Sequence, residues 1–88
     1  MVSYGKKALY PGSFDPFTLG HLDIISRASA IFDEVRIGVA TNNKKTNILS
    51  LEERIDLAKK STEHLKNIDV APIDGLVIDY AKQNDYKV

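Results

Sequence analysis

Short β-rich runs alternate with helical periodicity along the whole chain, and turn residues mark the junctions. Lys7-Ala8-Leu9-Tyr10 is a short apolar run stopped by Pro11-Gly12, a strand that ends in a turn. Leu22, Ile25, Ala28 and Phe32 then recur at helical spacing, which predicts a helix over 18–32. Val35, Ile37 and Val39 alternate with Arg36, Gly38 and Ala40 as a second strand, and 41–47 is a polar loop. Ser50-Leu51-Glu52-Glu53 is a capping box, in which hydroxyl and carboxylate satisfy each other's free backbone donors. Leu51, Ile55, Ala58, Thr62 and Leu65 follow on one helix face. A third strand is expected from Ile68 to Ile73, then a turn at Asp74-Gly75, a short helix over 76–84 and the start of a fourth strand at 86–88.

The order β-α-β-α-β-α-(β) with short connections implies an α/β, Rossmann-like parallel sheet. A doubly wound sheet usually has about five or six strands, so a fourth strand only beginning at the last residues makes this an incomplete one. The 88 residues allow a single domain. Twelve basic and twelve acidic residues give zero formal charge, which argues against a nucleic-acid partner. No apolar run approaches the roughly 18 residues of a membrane span, and the first residues lack the apolar core of a signal peptide. A cytoplasmic protein is the expectation. The absence of cysteine removes disulfides, thiolate metal sites and cysteine nucleophiles, and two distant histidines build no metal cluster, so no metal-ligating residue is assigned.

Ligands of open parallel sheets bind beyond the carboxyl ends of the strands. Topology therefore brings together 11–21, 41–46 and 74–77. The first segment, Pro11-Gly12-Ser13-Phe14-Asp15-Pro16-Phe17-Thr18-Leu19-Gly20-His21, is dense in turn residues and leads into a helix start. Gly12 permits a tight turn, Ser13 offers a hydroxyl and an N–H, and Thr18 can cap the helix. Free N–H groups and the positive dipole end at Gly20 and His21 suit a phosphate. The Asn42-Asn43-Lys44-Lys45-Thr46 loop carries two lysines and no acid. Taken alone it reads as a solvated loop, but its place at the ligand edge lets it attract phosphate. His64, near a helix C-terminus, suits the dipole there, and Glu52-Glu53 is a cap rather than a catalytic pair.

Tyr10-Pro11-Gly12-Ser13-Phe14-Asp15-Pro16 with Thr18-Leu19-Gly20-His21 resembles the signature of bacterial phosphopantetheine adenylyltransferases, nucleotidyltransferases with a histidine– or threonine–x–glycine–histidine motif. The likeness continues through Asp23-Ile24-Ile25, Arg27-Ala28, Phe32-Asp33, Lys44-Lys45 and Leu51-Glu52-Glu53-Arg54. The resemblance implies transfer of AMP from ATP to 4′-phosphopantetheine, with Mg²⁺, giving dephospho-coenzyme A and pyrophosphate. It implies Ser13, Phe14 and His21 as ATP-binding, and Ser13, Lys45, Leu76 and Val77 as binding phosphopantetheine. His21 and Lys45 are then the catalytic residues. It also implies a homo-oligomer, a hexamer in the full-length family.

The family's chain is about twice as long and continues into a glycine–arginine motif and a serine-rich ATP loop. Residues 1–88 thus read as the N-terminal half of one nucleotidyltransferase domain, expected to have little or no adenylyl transfer of its own. With no fourth strand, the Ala8-Leu9-Tyr10 edge is expected to be unpaired, favouring an edge-paired oligomer or a marginally folded chain. Two alternatives stand beside this: a non-catalytic nucleotide-binding or assembly half-domain, and another nucleotidyltransferase of the superfamily, acting on nicotinate mononucleotide or a polyol phosphate.

Overall fold

The computed structural model describes residues 2–4, 6–41 and 47–74. Strands β1 (Val2–Tyr4), β2 (Lys7–Gly12), β3 (Glu34–Ala40) and β4 (Ile68–Ile73) and helices α1 (Leu19–Ile31) and α2 (Leu51–Thr62) follow in the order β1-β2-α1-β3-α2-β4. The four strands form one sheet in the order β1-β2-β3-β4. β2, β3 and β4 run parallel, in register from Lys7↔Glu34 to Gly12↔Val39 and from Val35↔Ile68 to Ala40↔Ile73. The expected alternating α/β, Rossmann-like order therefore holds over these elements. The helix expected over 76–84 and the strand expected at 86–88 lie outside the described residues.

One expectation is overturned in part. The Ala8-Leu9-Tyr10 edge is paired at Ala8 and Leu9, where β1 runs antiparallel along β2 with Val2↔Leu9, Ser3↔Ala8 and Tyr4↔Lys7; among the described residues the pairing stops before Tyr10. The register leaves only positions 5 and 6 between the two strands. A glycine first in a two-residue connection is a hairpin signal, and Gly5-Lys6 carries it. An unpaired edge at Ala8 and Leu9 is therefore no ground for an edge-paired oligomer.

Alternation along the strands decides what each sheet face covers. Ala8, Val35, Ile37, Val39 and Val70 point to one face and pack with Ile25 and Ala28 of α1 and Ala58 of α2. Val35, Ile37 and Val39 are fully buried, which is worth roughly 1.5–3 kcal/mol for each side chain. The opposite face presents Leu9, Gly38 and Ile73, and the cross-strand pair Arg36–Asp69 at 2.7 Å. Gly38 is required there: a Cβ would stand 2.9 Å from Ile73 Cγ2 and 3.3 Å from Leu9 Cδ1. Asn67 Nδ2 donates to the carbonyls of Ser29 and Phe32, 2.9 Å each, and so satisfies the last turn of α1.

Candidate active site

Among the described residues, the connection from β2 to α1 is the most constrained segment of the carboxyl edge. Gly12 ends β2, and a Cβ on it would meet two ring carbons of Phe14 at 3.1 Å. The missing side chain is what lets that ring fold back. Phe14 has a φ of 52°, in the left-handed region that non-glycine residues rarely adopt. Such a conformation costs on the order of 1–3 kcal/mol. Burial of the ring offsets it: Phe14 is 3% exposed. Its edge contacts run to Tyr10 at 5.4 Å and His21 at 5.0 Å, with Phe17 tilted against it at 5.7 Å. The Asp15–Pro16 peptide that follows is cis.

The segment around α2 holds this loop from outside. Asp15 Oδ2 accepts from Ile48 N–H at 2.7 Å and Asp15 Oδ1 from Leu49 N–H at 2.8 Å. Arg54 Nη1 donates to the Ser13 carbonyl at 2.9 Å and to the Ala40 carbonyl at 3.0 Å. Arg54 is 2% exposed. At the end of β3, Thr41 donates through both N–H (2.9 Å) and Oγ1 (3.0 Å) to the carbonyl of Ile73, joining two strand ends.

At the start of α1, Thr18 is the N-cap and His21 the third helical residue of a reciprocal capping box. His21 N–H donates to Thr18 Oγ1 at 3.3 Å, and Thr18 N–H donates to His21 Nδ1 at 2.9 Å. A glutamate or glutamine usually fills this reciprocal role; here an imidazole does. Because Nδ1 accepts from a backbone N–H, it carries no hydrogen. The neutral ring therefore holds its hydrogen on Nε2. His21 thus has one ring N–H, on Nε2, that the cap does not use, in a ring that the cap holds at the N-terminus of α1. No acidic residue occupies the first turn of α1, so nothing there offsets the helix dipole.

Ser13, Phe14 and His21 therefore come together at one edge. Ser13 is exposed, while the Phe14 ring belongs to the core, so only its main chain can face a ligand. Lys45, Leu76 and Val77 lie outside the described residues. Among the described residues no three or more histidine, aspartate or glutamate side chains gather as a metal site. Sequence reasoning missed Asp15 and Arg54 as loop anchors. Asp15 lies inside the turn-rich stretch and Arg54 directly after the Ser50–Glu53 box, but neither residue type by itself announces a buried or doubly bonded side chain.

The cytidylyltransferase-like family profile matches residues 9–88. Among curated relatives, a phosphopantetheine adenylyltransferase of Clostridium botulinum (strain Eklund 17B / Type B) is 51% identical over 83 residues, which is 94% of this chain and 52% of the relative. One from Symbiobacterium thermophilum is 50% identical over 82 residues, covering 93% of this chain and 51% of the relative. The chain spans about half the length of these relatives. Among solved structures, a NadR protein in complex with NAD and AMP-PNP superposes with a TM-score of 0.68 at 24% identity, over 84% of this chain and 22% of that one. A bifunctional NMN adenylyltransferase/ADP-ribose pyrophosphatase from Francisella tularensis, complexed with AMP, superposes with a TM-score of 0.67 at 23% identity, over 96% of this chain and 25% of that one. These two share the fold. With its motif residues assembled at the carboxyl edge of a parallel sheet, and the profile running from Leu9 to Val88, the chain belongs to the cytidylyltransferase-like family.

Proposed function

We propose that residues 1–88 form the N-terminal half of a phosphopantetheine adenylyltransferase domain, carrying the ATP-phosphate side of its site. The observation that carries this is the Thr18–His21 capping box, which engages His21 Nδ1 at the N-terminus of α1 and so leaves Nε2 as the ring's donor. In this reading the phosphate of 4′-phosphopantetheine attacks the α-phosphorus of ATP. A P–O bond forms to the incoming phosphate, the bond to the bridging oxygen breaks, and pyrophosphate leaves. No side-chain nucleophile is needed, so the chain contributes position and charge stabilisation. His21 Nε2–H donates to the phosphate as charge builds on its oxygens. The Ser13 hydroxyl and the Phe14 N–H hold the nucleotide phosphates. Lys45 binds the substrate phosphate, and Leu76 and Val77 line the pantetheine arm.

Mg²⁺ enters this reading only with ATP. Magnesium commonly keeps several waters and binds through substrate phosphates. The described residues do not build a site for it on protein ligands, and both oxygens of Asp15 are engaged by backbone N–H groups. No step is routed through the ion. A cytoplasmic location and a homo-oligomer belong to the same reading; among the described residues no helix is long and apolar enough to cross a membrane.

The test is calorimetric titration of the 88-residue chain with ATP, 4′-phosphopantetheine and nicotinamide mononucleotide, with an assay for dephospho-coenzyme A alongside. The expected result is binding of ATP and phosphopantetheine, no binding of the mononucleotide, and no turnover. Preference for the mononucleotide moves the chain to another nucleotidyltransferase. Failure to bind ATP makes it an assembly module, and product formation overturns the inactivity of the isolated half.

A further inference from the structure

Arg54 is nearly inaccessible, yet among the described residues no carboxylate pairs with it, and its Nε–H is buried without a partner. Burying an unpaired charge is costly, and an apolar side chain of similar volume is often at least as stabilising. What the guanidinium supplies and an apolar side chain cannot is a pair of donated hydrogen bonds to two different segments. One Nη1 group holds the Ser13 carbonyl and the Ala40 carbonyl together, at 2.9 and 3.0 Å. Ala40 ends β3 and leads into 41–46, while Ser13 opens the connection to α1.

We propose that Arg54 is a positioning residue for anion binding: it aims the Ser13–Phe14 peptide and fixes the start of the connection to α1 against the end of β3. The peptide unit is planar and trans, so its C=O and N–H point in opposite directions. With the Ser13 carbonyl drawn inward to Arg54, the Phe14 N–H is turned away from α2. The Phe14 ring, locked over Gly12, and Asp15, held by the Ile48 and Leu49 N–H groups, stop the same peptide from flipping. The buried positive charge adds attraction for a phosphate at that edge without touching it. This rests on the nucleotide reading of the site.

The experiment compares the unaltered chain with Arg54→Met and Arg54→Lys. The probe is ATP, measured by calorimetry, and ¹⁵N relaxation of residues 13–17 is recorded without ligand. Arg54→Met is expected to loosen 13–17 and to weaken ATP roughly 30–100-fold, the scale of a misplaced binding group, with the far-ultraviolet spectrum retained. Arg54→Lys keeps the charge but not the planar fork, and is expected to recover part of the affinity. Should Arg54→Met not fold, the lysine variant decides, with ATP weakened about tenfold in a folded chain. Unchanged ATP affinity in a folded variant overturns the proposal, as does unchanged mobility of 13–17. Absence of ATP binding by the unaltered chain overturns the nucleotide reading itself, whereas the ligand-free mobility judges the clamp in either case.

Discussion

Gly38 and His21 show how single residues set the two functions of this sheet, packing and presentation. At Gly38 an added Cβ falls 2.9 and 3.0 Å from two carbons of Ile73, within the buried second face. Overpacking of this kind typically costs about 1–3 kcal/mol. Gly38→Ala is therefore expected to lower the unfolding free energy by that amount, read as a lower urea midpoint at an unchanged denaturant slope, and an unaltered midpoint would show that Ile73 moves freely. His21 makes a different prediction. Its Nδ1 accepts the Thr18 N–H at 2.9 Å, so long-range ¹⁵N–¹H spectra are expected to show the hydrogen on Nε2 at neutral pH. A neutral ring with its hydrogen on Nδ1 would break the cap and the presentation of His21 together. The place of His21 at a helix start on the carboxyl edge was legible from the turn-rich approach to it. Its tautomer was not, because a histidine in the reciprocal capping position follows no common motif.

The elements were largely legible because each begins or ends on a residue with one clear backbone preference. Ser50 and Glu53 form the box their spacing suggests, with Ser50 N–H donating to Glu53 Oε1 at 3.0 Å and Glu53 N–H to Ser50 Oγ at 3.1 Å. Ser50→Ala is expected to cost about 1 kcal/mol by thermal unfolding, and to loosen the first turn that carries Arg54. The same box lowers the pKa of Glu53, chiefly through the Ser50 backbone N–H and then through its hydroxyl. A depressed carboxylate pKa adds stability above the unfolded-state pKa and loses it as pH falls through the folded one. The stability difference between the chain and Glu53→Gln is thus expected at neutral pH and to vanish in acid. A difference constant with pH would contradict the ionic contribution. β1 escaped the sequence reading because Val2–Tyr4 is too short for alternation to register, and only the Gly-Lys pair after it signals the hairpin.

At the scale of the molecule, the topology explains why the candidate site is where it is. Parallel β2, β3 and β4 end at one edge, and the motif residues after β2 lie there. That much of the site followed from alternation and turn chemistry. The clamp did not, since Asp15 and Arg54 meet their partners across 14 to 41 positions of sequence, a juxtaposition that only the folded chain creates. Span matters equally: the chain covers about half the length of relatives called phosphopantetheine adenylyltransferase. The proposed role of this half is to grip nucleotide phosphates while the other half completes transfer. The most direct measurement is a ¹⁵N–¹H titration of the 88-residue chain with ATP. The account predicts saturable shifts centred on Ser13, Phe14, Gly20 and His21. Shifts elsewhere on the sheet, or none at millimolar ATP, would contradict it.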